Sequence, residues 1–205
     1  LTKDTPKPLL KINNLELIEY SIKLLNNLGI NEIAINAHYL KDKINLIESE
    51  YPNISKEDLA LAHNEDFIKK VLNNPDDVVL ETYELVDNKG NYNRYNPNLR
   101  KKPLNDFVKK AKLHIAGTYL TCEMALKYKF AYHLGGGMHH AMSFKPGGFC
   151  MFNDLVISLR KLQKEKKIKQ AIIIDLDCHK GDGSAEILKK DPTITTLSIH
   201  MKNGW

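Results

Sequence analysis

Residues 171–183 read Ala171-Ile-Ile-Ile-Asp-Leu-Asp-Cys-His-Lys-Gly-Asp-Gly183. The unbroken apolar run from Ala171 to Ile174 predicts a buried strand over 170–177. Side chains alternate along a strand, so Asp175, Asp177 and His179 project together at its carboxyl end. Open α/β sheets place their sites at that end of their strands. Two carboxylates and an imidazole suit a divalent cation, because oxygen and nitrogen ligands both bind zinc. Capping of the next helix would account for one Asp, but not for three polar residues on one face. Asp182 follows within reach of the site. Gly181 and Gly183 are expected to turn the backbone sharply beside it. Cys178 points the other way and is expected in the core.

Working outward, residues 183–190 read as a helix and 194–200 as a second strand, an order that implies a parallel sheet. Helices are also expected at 154–168, 106–128 and 64–73. Ser55-Lys-Glu-Asp58 has the form of a capping box. Residues 73–105 are rich in Asn, Asp, Pro and Tyr and read as a loop, with 87–98 at its rim. Near the start, Leu15–Leu28 has helical spacing, Gly29 is a stop, and Ile30–Asn36 alternates like a strand. A further helix is expected from Lys41 to Tyr51.

The 205 residues carry 30 Lys and Arg against 25 Asp and Glu, a net charge of +5. With 42% hydrophobic and 27% charged residues, the chain is of ordinary globular composition, which excludes disorder throughout. No apolar run approaches the roughly 20 residues of a membrane span. Cys122, Cys150 and Cys178 form no CxxC pair, so a reducing cytoplasm is expected and a disulfide framework is not. The basic run Lys161–Lys169 is interrupted by Glu165 and reads as a solvated helix face, not a nucleic-acid patch.

Two further stretches carry chemistry. His133-Leu-Gly-Gly-Gly-Met-His-His140 sets adjacent imidazoles after three glycines. His139 and His140 can act as general base and as acid or electrostatic partner, provided carboxylates fix their tautomers. Asp175 and Asp182 are the candidates. In Lys145-Pro-Gly-Gly-Phe-Cys-Met-Phe-Asn-Asp154, Gly147 and Gly148 turn the chain and Phe149 can wall a narrow channel. Asn153 or Asp154 is expected to cap the following helix.

Together HLGGGMHHA, GGFCMFND and IIIDLDCHKGDG resemble the superfamily of histone deacetylases, acetoin-utilisation proteins and acetylpolyamine amidohydrolases. The likeness spans roughly Ile54 to Trp205 and includes Asp58-Leu-Ala-Leu-Ala-His63. It implies a three-layer α/β arginase/deacetylase-like fold, here incomplete: a parallel sheet with flanking helices. It implies metal-dependent hydrolysis of an acetyl-lysine-type or acetylpolyamine amide. Asp177 and His179 would be two of three zinc ligands, with Fe2+ suiting the same set. His139 and His140 would be catalytic, partnered by Asp175 and Asp182. Asp175 and Ser198 would join a structural K+ site. Phe149, with Gly148, would line the acyl-lysine tunnel. The partner would be an acetylated small molecule or an acetyl-lysine protein, with no nucleic acid or membrane involved.

The chain departs from that pattern in three ways. A third acidic zinc ligand and an oxyanion-stabilising Tyr are expected past Trp205, and position 180 is Lys where Gln or His is usual. Residues 1–45 instead resemble a fragment of a sugar-nucleotide nucleotidyltransferase through Thr5-Pro-Lys-Pro-Leu-Leu-Lys-Ile-Asn-Asn14, in which Lys7 would approach a phosphate. The expectation is a join between Leu40 and Ser55, separating residues 1–45 from a partial deacetylase-like domain at 46–205.

Overall fold

The computed structural model describes residues 11–16, 18–20, 23, 52–87, 89, 91, 99 and 103–202. Lys7, Gly29, the strand expected at 30–36, the helix expected at 41–51 and most of the rim loop lie outside them. The chain divides into two units, one drawn from Leu1–Glu50 and Thr121–Leu134, the other from Tyr51–Leu120 and Gly135–Trp205.

In the first unit, β1 (Lys11–Ile12) pairs with β2 (Leu15–Glu16) as an antiparallel hairpin. Asn13 and Asn14 connect them with φ of 50° and 65°, the double left-handed geometry of a type I′ turn that Asn tolerates. The helix expected from Leu15 is therefore corrected at its start. Leu15 and Glu16 belong to the hairpin, because the turn returns the chain as a strand before helical residues begin at Ile18.

The second unit holds the core. The Ser55 hydroxyl accepts the Asp58 amide while the Asp58 carboxylate accepts the Ser55 amide, closing the expected capping box of α1 (Lys56–Leu59). Asn64 caps α2 (Glu65–Asn73), which buries Phe67, Ile68 and Val71. Residues 75–82 correct the loop expectation: Pro75–Thr82 is a helix, α3. Proline is favoured in a first turn, Asp76 and Asp77 suit the positive end of the helix dipole, and Val78 and Val79 are buried. Composition suggested a loop, but the same Asp and Pro residues serve as a helix start.

Next comes α4 (Asn105–Tyr128), which buries Ile115 through Tyr119. It is followed by α5 (Asp154–Lys164), whose apolar face buries Val156, Ile157 and Leu162. Each such side chain contributes roughly 1.5–3 kcal/mol. No helix among the described residues is long and apolar enough to cross a membrane.

The strand β3 (Ala171–Asp175) leads through α6 (Asp182–Leu188) to β4 (Ile194–Ser198), and the strands pair in parallel with Asp175 opposite Ser198. The strand is shorter than expected, and it is buried on one face only. Ile173 is 8% exposed, whereas Ile172 and Ile174 are 57% and 58% exposed. Period-two alternation sends Ile173 into the core and its neighbours outward, and among the described residues the sheet has two strands.

Arg160 on α5 ties these parts together. It donates to the Leu61 carbonyl at 2.7 Å and forks onto Asp191 Oδ2 at 2.9 and 3.2 Å. Lys161 beside it pairs with the buried Asp58 at 2.8 Å. The lysines of this stretch thus include one packed, paired residue.

Candidate functional site

The dihistidine loop is gripped from three directions. The Ser184 amide donates to the His139 carbonyl at 3.0 Å. Asn153 Nδ2 donates to the Ala141 carbonyl at 3.2 Å and to Ser184 Oγ at 3.0 Å. His63 donates from Nδ1 to the Met142 carbonyl at 2.9 Å and accepts the Asn153 amide at Nε2 at 3.0 Å. A carbonyl can only accept and an amide can only donate, so His63 is the neutral Nδ1–H tautomer. Burial, above all, holds its pKa down at about 4.

Two glycines make these approaches possible. A Cβ at Gly183 would lie 2.5 Å from the Ala141 oxygen, and one at Gly181 would lie 2.3 Å from Asp175 Oδ2. Neither has positive φ, so close packing against the site, not a sharp turn, is what requires glycine at both positions.

The two imidazoles lie 4.1 Å apart between ring centroids, and both are buried. His139 Nδ1 meets Asp175 Oδ2 at 2.6 Å, and His140 Nδ1 meets Asp182 Oδ1 at 2.7 Å. A carboxylate accepts, so Nδ1 carries the proton in each ring and Nε2 carries the basic lone pair. His139 Nε2 lies 3.8 Å from Asp177 Oδ1. The strand, the loop after it and the first residue of α6 therefore bring Asp175, Asp177 and Asp182 to the same pair of rings.

Asp177 Oδ1 and His179 Nδ1 stand 3.1 Å apart. The His179 backbone N–H, more than any other group, holds the Asp177 carboxyl below its ordinary pKa. With Cys178 Sγ they form a group whose potential ligand atoms lie within 4.8 Å of one another. Cys178 is thus corrected from the core to the surface, because the strand pleat ends at Asp175 and no longer dictates its direction. A carboxylate oxygen and an imidazole nitrogen this close fit Zn2+ or Fe2+ as two ligands. Ser198 lies in register with Asp175 and accepts the Gly181 amide at 3.3 Å, with His200 Nδ1 at 3.0 Å.

Gly147 and Cys150 exchange backbone hydrogen bonds of 3.1 and 2.7 Å across a two-residue turn. Gly148 and Phe149 between them have φ of 49° and 65°, again the type I′ form. Phe149, 45% exposed, is presented by this strained turn. Its amide donates to the Thr82 carbonyl at 3.1 Å, and its ring lies 6.3 Å from Tyr83.

Sequence reasoning divided the helix cap between Asn153 and Asp154. Asn153 is the cap, accepting the Val156 amide. Asp154 turns instead to the glycine loop, accepting the Gly137 and Met138 amides at 3.0 and 2.7 Å and the Thr118 hydroxyl. Ser184, Thr118 and Tyr83 carry no local signal in the sequence. The only local signal for His63 was its place in the Asp58–His63 stretch.

The histone deacetylase domain model matches residues 25–205. Acetoin utilization protein AcuC of Staphylococcus aureus is 30% identical over 173 residues, covering 82% of this chain and 41% of that protein. An HDAC homolog solved in complex with SAHA has 31% identity and a TM-score of 0.55, covering 78% of this chain and 42% of that one. An HDAC homolog from Aquifex aeolicus has 27% identity and a TM-score of 0.56 at the same coverage. The chain spans less than half the length of each of these three relatives. The likeness to these solved structures bears out the arginase/deacetylase-like fold. By the extent of the domain match and by this fold, the chain belongs to the histone deacetylase family.

Proposed function

We propose that this chain carries the proton-transfer and metal-anchoring half of a deacetylase that hydrolyses an acetyl-lysine-type or acetylpolyamine amide. The observation that supports it most is the pair of buried imidazoles, each with Nδ1 on its own carboxylate, beside Asp177 and His179. Asp177 and His179 would hold the divalent ion, Zn2+ or Fe2+. Bound there, the ion would act as a Lewis acid on the amide carbonyl and on water.

The histidines do the proton work. Nε2 of His140 or His139 takes the proton of the attacking water and delivers it to the departing amine. The hydrogen bonds to Asp175 and Asp182 hold each ring at one angle and stabilise it once protonated. Phe149 and Gly148 supply an apolar wall for the aliphatic stem of the substrate. Asp175 and Ser198, partners in the strand register, would hold a K+ ion.

The test is acetate release from an acetyl-lysine peptide and from an acetylpolyamine by the Zn2+- and the Fe2+-loaded chain, with His140→Ala as control. Release that is lost in the variant is expected. No release from either substrate under either metal overturns the assignment for this chain.

A further inference from the structure

We propose that Asp154 is a positioning residue that sets the angle of the dihistidine, acting through the two peptide groups ahead of it. The inference rests on the proton-transfer role given above to His139 and His140.

Asp154 is the first residue of α5 and is 0% exposed. A carboxylate there commonly caps its own helix, but Asn153 has taken that task. Asp154 accepts the Met138 amide on Oδ1 at 2.7 Å, and the Gly137 amide at 3.0 Å and the Thr118 hydroxyl on Oδ2. All three partners are donors. A carboxylate, which only accepts, matches the set; an amide side chain would turn its NH2 against at least one N–H.

Burying a carboxylate is costly, and the fold does so here to hold two consecutive peptides. One of them belongs to Gly137, whose φ is 74°, and the other to Met138, which immediately precedes His139. The His139 amide in turn donates to the Gly137 carbonyl at 2.8 Å, closing a tight turn on the clamped residues. On the far side, His139 Nδ1 reaches Asp175 at 2.6 Å. The ring is therefore set between two anchors, the half-buried Asp175 at its nitrogen and the buried Asp154 at its backbone. Thr118, on α4, fixes the carboxylate itself, so α4 and α5 together orient a loop that neither of them forms.

The experiment compares the whole chain with Asp154→Asn, which keeps the shape and one acceptor, and with Thr118→Val, which removes the hydroxyl alone. Two measurements are made: steady-state deacetylation, and the downfield proton resonances of the His139 and His140 Nδ1–H groups. Asp154→Asn is expected to lower kcat about 10- to 100-fold, since small displacements of reacting groups cost that much, with KM within about threefold. Thr118→Val is expected to lower kcat about three- to tenfold. Both variants should shift or broaden the His139 signal while the fraction folded stays near that of the parent. Unchanged kcat and unchanged Nδ1–H signals in folded variants overturn the proposal, as does a loss of kcat that merely tracks the fraction unfolded. If Asp154→Asn does not fold, Thr118→Val decides. If the parent shows no deacetylation, the Nδ1–H signals still test the positioning role.

Discussion

Gly148 and His140 are in contact so close that no side chain fits between them: a Cβ at Gly148 would lie 2.3 Å from Cδ2 of the imidazole. Gly148→Ala must therefore push the ring off Asp182 or open the turn, and φ of 49° adds backbone strain. The expected cost is about 1–3 kcal/mol of stability, in the range of other overpacked sites. Turnover should fall about 100-fold through displacement of His140. Calorimetry and steady-state rates check both. Parent-like turnover in a folded Gly148→Ala protein would show that the ring angle is immaterial.

His63 makes stability depend on pH. Its pKa lies at about 4 in the fold against 6.5 for an ordinary histidine, chiefly because it is buried. The unfolded chain thus takes up the proton at higher pH, so the contribution is fully present above pH 6.5 and is lost as pH falls through 4. Between pH 7 and pH 5 the loss should be about 2 kcal/mol. Asp191 acts lower in the scale. Burial alone would raise its pKa, but Thr193 and Arg160 outweigh that and bring it to about 2. Urea unfolding of the parent and of His63→Gln across this range isolates the contribution of His63. Equal slopes in the two proteins would rule His63 out as its source.

Phe149 separates strain from function. Its left-handed φ costs about 1 kcal/mol or more that glycine would not incur. Phe149→Gly should leave stability within about 1 kcal/mol of the parent, because relief of strain offsets the lost half-buried ring. If the ring walls the substrate path, kcat/KM should fall about tenfold or more. Urea midpoints and kinetics are the measurements, and an unchanged kcat/KM would remove Phe149 from the substrate path.

Metal affinity should depend on Asp177 and His179 and hardly at all on Cys178. His179→Ala or Asp177→Asn should weaken Zn2+ binding by more than the roughly 10- to 100-fold that changes around a ligand cost. Cys178→Ser should change it less than about threefold, a modest effect by the same measure. Competition with a chromogenic chelator reads all three. A large loss in Cys178→Ser would bring the thiol into the ligand set.

Part of the fold is legible in residues near one another in sequence. The Ser55–Asp58 capping box, the long helix after Asn105 and the parallel β3–β4 pairing follow from periodicity and caps, which are properties of a few consecutive residues. The loop assigned to 75–82 failed because Pro and Asp mark a turn and a first helical turn alike; burial of Val78 and Val79 settled it. The strand's apolar run could not reveal that Ile172 and Ile174 would lie exposed, since neighbours across a sheet are invisible along a chain.

The candidate site divides in the same way. Its chemical types, paired imidazoles and an Asp-x-Asp-x-His run, are legible in the order of residues. Its protonation pattern is legible only as far as Asp175 and Asp182 being candidate partners; that Nδ1 of each ring meets its carboxylate, across 36 and 42 residues, is decided by the fold. Nor could composition assign Asp154 to the Gly137 and Met138 amides rather than to its own helix, since Asn153 competed for the same cap. A carboxylate bonds whichever donors the packing of distant segments leaves beside it. That choice belongs to the folded chain.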